Sequence, residues 1–298
     1  MTAPWIAQRC DEVVSSLPIE RLPSAIIIDA LPGWGASYFV TLWLQRIMDD
    51  PSCNPRETPY TDILWVQPKE QDRDTTSSKR RLKLSDFTLT VDQIRDAIQF
   101  MERTRQASSR RIAVLEAVET MSIAASHALL KSLEEPLDRG HWLLITTAID
   151  QLLPTIRSRC TVVPLRQAPH SVVHKWLIEQ GVPKDELEHL MYEHGDAPYK
   201  ILESQNLERK PLRELLLDVW KTRSLDLSVV EPLLQQDFDD LLIRWMRITE
   251  RLYQNRRSSR ASKFWDELIA TRRAYHDASS INKQLHLERL LILWSRIR

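Results

Sequence analysis

The turn after the first apolar run of the chain has the residue spacing of a phosphate-binding loop. Residues 25–28 form an unbroken β-branched run, and a helical pattern over 38–48 follows a turn that contains Gly33. A working P-loop reads Gly-x-x-x-x-Gly-Lys-Ser/Thr, and its lysine brings positive charge to the phosphates. Aligned to that pattern, the four positions hold Ala30, Gly35, Ala36 and Ser37. The sequence therefore predicts a P-loop fold with a degenerate site, and weak residual nucleotide binding is the alternative.

An acidic residue, Glu116, follows another apolar run at 112–115. In P-loop ATPases an aspartate at this strand end holds magnesium, and a nearby glutamate polarises the attacking water. The glutamate side chain is one methylene longer than aspartate, so its carboxylate would overreach the metal. Together with Ala36, Glu116 predicts that the chain does not hydrolyse ATP.

Short apolar runs alternate with helical patterns around these residues. The runs are found at 25–28, 63–66, 112–115, 142–146 and 161–165. Thr90 and Gln93 have the spacing of a capping box at the start of one helix. Ser122 is the predicted N-cap of a second helix, which Pro136 and Gly140 end. This alternation predicts an α/β domain with a parallel sheet and helices on its faces.

Two motifs in this framework resemble the AAA+ clamp-loader ATPases. That family has a helix reading Ala-Asn-Ala-Leu-Leu-Lys-Thr-Leu-Glu-Glu-Pro, then a strand, then Ser-Arg-Cys. Residues 126–136 read Ser-His-Ala-Leu-Leu-Lys-Ser-Leu-Glu-Glu-Pro, and residues 158–160 read Ser-Arg-Cys, in the same order and spacing. The stretch at 91–95, Val-Asp-Gln-Ile-Arg, also matches the family. The resemblance covers essentially the whole chain and is strongest over 91–165.

The resemblance implies that Arg159 acts outside its own chain, as an arginine finger. In clamp loaders this arginine projects into the ATP site of a neighbouring subunit, where a planar, permanently charged guanidinium reaches the γ-phosphate. Ser158 and Cys160 complete the motif. Arg157 competes for the role on sequence alone, and a surface salt bridge is the structural alternative. The spacing within the triplet favours Arg159.

The resemblance also assigns roles near the nucleotide to further positions. Glu119 stands where the family supplies a second acidic residue, and Thr146 and Thr147 occupy the sensor-1 region. For the threonines we expect buried hydroxyls that are bonded to the backbone. In the sensor-2 turn at 195–198 the family has an ATP-facing arginine nearby, and Lys200 is a poor substitute for it.

Three domains are expected from the same comparison. They are an AAA+ RecA-like domain at 1–167, a small helical lid at 168–207 and an all-helical C-terminal collar at 208–298 that would mediate oligomerisation. The collar segment from 210 onward contains no glycine and carries several apolar stripes at helical spacing. Those stripes are compatible with a helical-bundle core within this chain, and they are also compatible with an interface to other subunits.

The function implied by the resemblance is that of a non-hydrolysing clamp-loader subunit. Its partners would be gamma/tau-type and delta-type loader subunits, the sliding clamp, and primer–template DNA through the assembled complex. ATP would be bound by the partner subunits, and the chain would belong to a DNA-directed DNA polymerase holoenzyme, a nucleotidyltransferase complex, without catalysis of its own. An active P-loop ATPase or motor subunit is the alternative.

Composition limits the other classes of function. The 41 basic and 41 acidic residues balance, so no global charge attracts nucleic acid. Cys10, Cys53 and Cys160 are scattered, which argues against disulfides and against a zinc site, although relatives carry a zinc module near Cys53. No signal peptide or membrane span is recognised, so a cytoplasmic protein is expected. The basic run at 79–83 fits a solvated loop better than a phosphate contact.

Overall fold

The computed structural model describes residues 2–70, 87–102, 110–135, 137, 139–205, 211–222, 227–256, 259–277 and 281–297. Pro136 and the basic run at 79–83 lie outside these ranges. The described residues form two compact units, one up to Val172 and one from Val173 onward.

A five-stranded parallel sheet forms the centre of the first unit. Its strands are β1 (Ala25–Ala30), β2 (Ile63–Val66), β5 (Arg111–Leu115), β6 (Gly140–Thr146) and β7 (Thr161–Leu165), in the spatial order β2-β5-β6-β1-β7. The short strands β3 (Lys69–Glu70) and β4 (Phe87–Thr88) pair antiparallel outside it. The apolar runs of the sequence thus become parallel strands. Strands β1, β5 and β6 are buried along almost their whole length, which requires continuous apolar side chains, whereas the edge strand β7 fully buries only Val163.

Helices cover both faces of this sheet. They are α1 (Pro4–Ser16), α2 (Ala36–Ile47), α3 (Val91–Glu102), α4 (Ile123–Glu134) and the short α5 (Pro154–Arg157). Helices α3 and α4 share one apolar core with alternate side chains of β1, β5 and β6, while α2 contacts β1 and packs against α1. The α/β class is therefore confirmed, and the sheet gathers the carboxyl ends of its strands at one edge.

Two of these helices begin at the capping residues that the sequence predicts. Thr90 N–H donates to Gln93 Oε1 at 3.1 Å, and Gln93 N–H donates to Thr90 Oγ1 at 3.3 Å, which completes the capping box. Ser122 Oγ accepts from Ala125 N–H at 3.1 Å at the start of α4. Helix α2 differs from its prediction, because it begins at Ala36 rather than at residue 38.

The second unit is helical throughout its described residues. Its helices are α6 (His170–Glu179), which starts in the first unit, α7 (Lys184–His194), α8 (Pro198–Gln205), α9 (Leu212–Thr222), α10 (Leu227–Leu234), α11 (Phe238–Arg256), α12 (Ser259–Asp277) and α13 (Lys283–Ser295). One apolar core joins α9 to α13, with Trp245 fully buried between Phe264 and Trp294. Helix α7 packs against α8 and α11. The finer division into lid and collar stays a prediction.

A helix that crosses a bilayer needs about 20 consecutive, mostly apolar residues. Among the helices of the described ranges, none is both long enough and apolar enough to do so.

Candidate functional site

The degenerate P-loop has a well-formed turn that is anchored by an aromatic side chain. Gly33 and Gly35 have φ of 78° and 85°, in the left-handed region that glycine adopts without strain. Gly35 directly precedes the first residue of α2, and its carbonyl accepts from Phe39 N–H at 2.9 Å. Trp34, only 3% exposed, packs against Trp5 of α1 with 6.2 Å between ring centroids. The loop is thereby tied to α1 in a fixed conformation.

Ser37 and Glu116 are in direct contact at the carboxyl edge of the sheet. Ser37 Oγ donates to Glu116 Oε1 at 2.6 Å. In a working P-loop ATPase the corresponding hydroxyl and carboxylate both bind magnesium. The two side chains that would bind magnesium in such an ATPase are thus bonded to each other. The longer side chain of glutamate is what allows this contact.

Glu116 also accepts from three other side chains. Trp65 Nε1 and Gln67 Nε2 donate to Oε2 at 3.0 and 2.9 Å, and Arg56 Nη2 lies 3.4 Å from Oε1. Burial by itself would raise the pKa of Glu116, but the bonds from Ser37, Gln67 and Trp65 and the charge of Arg56 hold it below the usual range. The carboxylate is therefore ionised, and Arg56 supplies a positive charge from within the protein.

Glu119 binds the threonines at the end of β6. Thr146 Oγ1 donates to Glu119 Oε2 at 2.8 Å, and Thr147 donates to Oε1 from its hydroxyl at 2.7 Å and its N–H at 3.1 Å. The expectation of buried hydroxyls bonded to the backbone holds in part for Thr146, which is buried and accepts from Ala148 N–H at 3.1 Å. It was wrong for Thr147, which is exposed, and both hydroxyls donate to a carboxylate. Ala117, between the two acids, has φ of 54°, a conformation uncommon for alanine. Both carboxylates of this segment are thus engaged by their own chain.

The same edge of the sheet is acidic. Burial raises the pKa of Asp29, at the end of β1, and the negative charges of Asp150 and Glu119 raise it further. A nucleotide triphosphate bound here would meet the repulsion of these groups. The P-loop lysine that offsets such repulsion in an active site is replaced by Ala36.

Arg159 lies immediately after α5 and is held by two contacts from its own chain. Its Nη2 lies 2.8 Å from Glu134 Oε1, and its Nη1 donates to the carbonyl of Thr155 at 3.0 Å. The side chain is 36% exposed. Arg157 pairs with Asp150 at 2.9 Å instead. The structural alternative, a surface salt bridge, is thus present at both arginines, and Arg159 keeps a face open to solvent.

The two residues beside Arg159 fix the turn that carries it. Ser158 Oγ donates to the carbonyl of Thr155 at 3.1 Å at the end of α5. The Cys160 side chain packs against the core beneath α4, and burial raises the pKa of its thiol to about 11. A thiol with that pKa is protonated near pH 7 and is a poor nucleophile. Ser158 and Cys160 therefore have the contacts of structural residues.

Lys200, the expected poor substitute for a sensor-2 arginine, is engaged inside the second unit. Its Nζ donates to Asp240 Oδ1 of α11 at 2.6 Å. Nearby, Arg244 binds Glu193 at 3.1 Å, and Arg247 Nη1 donates to the Glu193 carbonyl at 3.0 Å.

These charges surround a buried histidine, His194. Burial lowers its pKa to about 3, and Arg244, Lys200 and Arg247 reinforce the effect while Asp240 opposes it. The network connects α7, α8 and α11.

The structure thus brings together Ser37 and Glu116, and separately Glu119 with the threonines. The sequence did not point to four residues that make these contacts, namely Arg56, Trp65, Gln67 and Glu134. Trp65 and Gln67 are two residues apart in extended chain and share a direction, a signal that was available beforehand. Among the described residues, no group of three or more histidine, cysteine, aspartate or glutamate side chains is placed to hold a metal ion.

The resemblance found in the sequence is confirmed by comparison with known proteins. Residues 48–169 match the model of a family described as DNA polymerase III, delta subunit. DNA polymerase III subunit delta' of Pseudomonas aeruginosa is 29% identical over 244 residues, which cover 70% of this chain and 73% of that protein. The subunit delta' of Haemophilus influenzae is 26% identical, over 59% of this chain and only 54% of that protein.

A solved structure supports the fold along nearly the full length. It is a DNA polymerase III gamma subunit-related protein from Thermotoga maritima, which has a TM-score of 0.59 and 18% identity and covers 97% of this chain and 99% of its own. At that identity the likeness concerns the fold.

Proposed function

We propose that this chain is a non-hydrolysing clamp-loader subunit of the delta' type, acting in DNA replication. The observation that carries the proposal is the 2.6 Å bond between Ser37 and Glu116, with Arg56 beside it. The two side chains that would hold magnesium in an active subunit are bonded to each other, and Ala36 stands at the position of the P-loop lysine. The similarity to delta' subunits supports the clamp-loader role.

In this function Arg159 serves the ATP site of a neighbouring subunit. Its two contacts inside the chain are at the protein surface, where an ion pair contributes only about 0–1 kcal/mol, so they do not prevent the guanidinium from reaching a phosphate. The charge is permanent and the donors form a planar fork, as stabilisation of the γ-phosphate in the transition state requires.

The partners proposed are gamma/tau-type and delta-type loader subunits, the sliding clamp, and primer–template DNA through the assembled loader. ATP is bound by the partner subunits. The predicted collar at 208–298 supplies the surface for assembly. Without hydrolysis of its own, the chain is a component of the polymerase holoenzyme.

The first experiment measures nucleotide binding by the isolated chain. Titration calorimetry with ATP and Mg²⁺ should give no binding in the micromolar range, and no phosphate release should be detected. Micromolar affinity, or turnover that is lost in Ser37→Ala, would instead identify an active P-loop ATPase.

The second experiment tests Arg159 in a loader reconstituted with gamma/tau and delta subunits, clamp and primed DNA. Arg159→Ala should leave assembly intact and reduce hydrolysis at the site it faces by about 10³-fold. If several sites hydrolyse, the total rate drops only severalfold. Arg159→Lys should restore little of this hydrolysis, because lysine lacks the planar fork of donors. Arg157→Ala is the matched control. Full activity of Arg159→Ala together with loss in Arg157→Ala would assign the finger to Arg157.

A further inference from the structure

The last residue of α4 lies beside the arginine that we assign to the neighbour's ATP. Glu134 Oε1 is 2.8 Å from Arg159 Nη2, and the Thr155 carbonyl accepts from Nη1 at 3.0 Å. Helices α4 and α5 pack against each other, so both acceptors belong to the framework of the first unit. Two of the three guanidinium nitrogens are thus held from within the chain.

Such a pair of contacts restricts the direction of a long side chain. An unrestrained arginine samples many rotamers, and a catalytic group displaced by about 1 Å can cost on the order of 10²-fold in rate. Here the Thr155 carbonyl and the Glu134 carboxylate bind different nitrogens, which favours one plane and one direction of the guanidinium. The planar fork stays partly exposed, so its remaining donors are open to an incoming oxygen.

We propose that Glu134 is a positioning residue for Arg159, which orients the guanidinium toward the ATP of the neighbouring subunit. This inference rests on the proposed function, in which Arg159 reaches that ATP. Glu134 touches no substrate itself and acts through Arg159. Its side chain is 53% exposed, so the ion pair guides the arginine without trapping it.

The adjacent acid, Glu135, provides a matched control. It is exposed and follows the end of α4, where its N–H donates to the Lys131 carbonyl at 3.3 Å. Glutamine at 134 or at 135 removes the same charge from the same surface at nearly the same place. Only the change at 134 removes the anion that holds Arg159.

The test uses the full loader with hydrolysis confined to the site that faces this chain, and measures the rate against ATP concentration. Glu134→Gln should lower kcat about threefold to tenfold and leave KM within about twofold, since a finger stabilises the transition state more than it binds ATP. Glu135→Gln should change neither. The double variant Glu134→Gln/Arg159→Ala should match Arg159→Ala alone, because the effect passes through the arginine.

The other outcomes each overturn a defined part of the reasoning. An unchanged or higher kcat in Glu134→Gln, while Arg159→Ala is impaired, shows that Glu134 does not position the finger. A double variant slower than Arg159→Ala shows an independent role and also overturns the proposal. If Arg159→Ala itself is fully active, the proposed function fails first. Thermal denaturation of each variant checks that the fold is intact, and Glu134→Gln should melt as Glu135→Gln does.

Discussion

Replacing Glu116 by glutamine should destabilise the first unit without changing hydrolysis by the assembled loader. The carboxylate accepts from Ser37, Trp65 and Gln67 at 2.6 to 3.0 Å, and Arg56 lies 3.4 Å away. Glutamine keeps the size of the side chain. It removes the charge and turns one acceptor into a donor.

The magnitude follows from these contacts. A hydrogen bond to a charged group contributes about 1.5–3 kcal/mol and a neutral one about 0.5–1.5, so each of the three bonds loses roughly 1 kcal/mol. Ser37 can rotate its hydroxyl to accept from the new amide, which recovers part of the loss. The pair with Arg56 adds little because Arg56 is exposed. A net loss of about 2 kcal/mol results, equivalent to roughly 4–8 °C in melting temperature for a unit of this size.

The assay is denaturant and thermal unfolding of the isolated chain near pH 7.5, followed by tryptophan fluorescence, with Glu135→Gln as the control. Unchanged stability in Glu116→Gln would refute the reasoning, because the negative charge of Glu116 would then add nothing to the strength of its hydrogen bonds. A second refutation would be a rise in the melting temperature of the unaltered chain with ATP and Mg²⁺ that Glu116→Gln abolishes. That result would identify Glu116 as a metal ligand.

Three further predictions concern stability and metal content. Asp62→Ala should lower the free energy of unfolding, measured with denaturant, by about 3–5 kcal/mol, because the buried Arg111 loses the carboxylate 3.3 Å from its Nη2. A decrease below about 1 kcal/mol would contradict this. His194, whose pKa falls to about 3, stays neutral in the fold but protonates near pH 6.5 when unfolded, so stability should decline as the pH falls below 6.5, by up to about 1.4 kcal/mol per unit. His194→Gln should make that decline shallower in melts from pH 7 to 5, and an equal slope in the variant and the unaltered protein would exclude His194 as a cause. Elemental analysis should find no stoichiometric zinc, since Cys53 alone cannot complete a site, and one zinc per chain would show otherwise.

The sequence by itself determined the strands and the helix starts of the first unit. Unbroken β-branched and apolar runs predicted each of the five parallel strands. For β1, β5 and β6, burial on both faces leaves little choice of residue type. The caps at Thr90 and Ser122 were equally readable because each bond spans only three residues. Helix α2 was placed two residues late, as the left-handed Gly35 starts it earlier than the apolar pattern shows.

Only part of the candidate site could be predicted from the sequence. The absent lysine at Ala36 and the motif around Arg159 are visible in the sequence, since both depend on residue type at a fixed spacing. The partners of the side chains were not visible. The predicted backbone bond of Thr146 is present, but the fold also brings Glu119 to its hydroxyl.

The tertiary structure alone decided which groups contact the Glu116 carboxylate and the Arg159 guanidinium. Ser37 and Glu116 are 79 positions apart, and they meet because parallel strands bring their carboxyl ends to one edge of the sheet. Arg56 reaches the same carboxylate from an irregular segment whose path no periodicity predicts. Glu134 meets Arg159 only because α4 and α5 pack together. Residue type fixes which groups can bind a phosphate or a cation, and the packing of distant elements fixes which of them already bind each other.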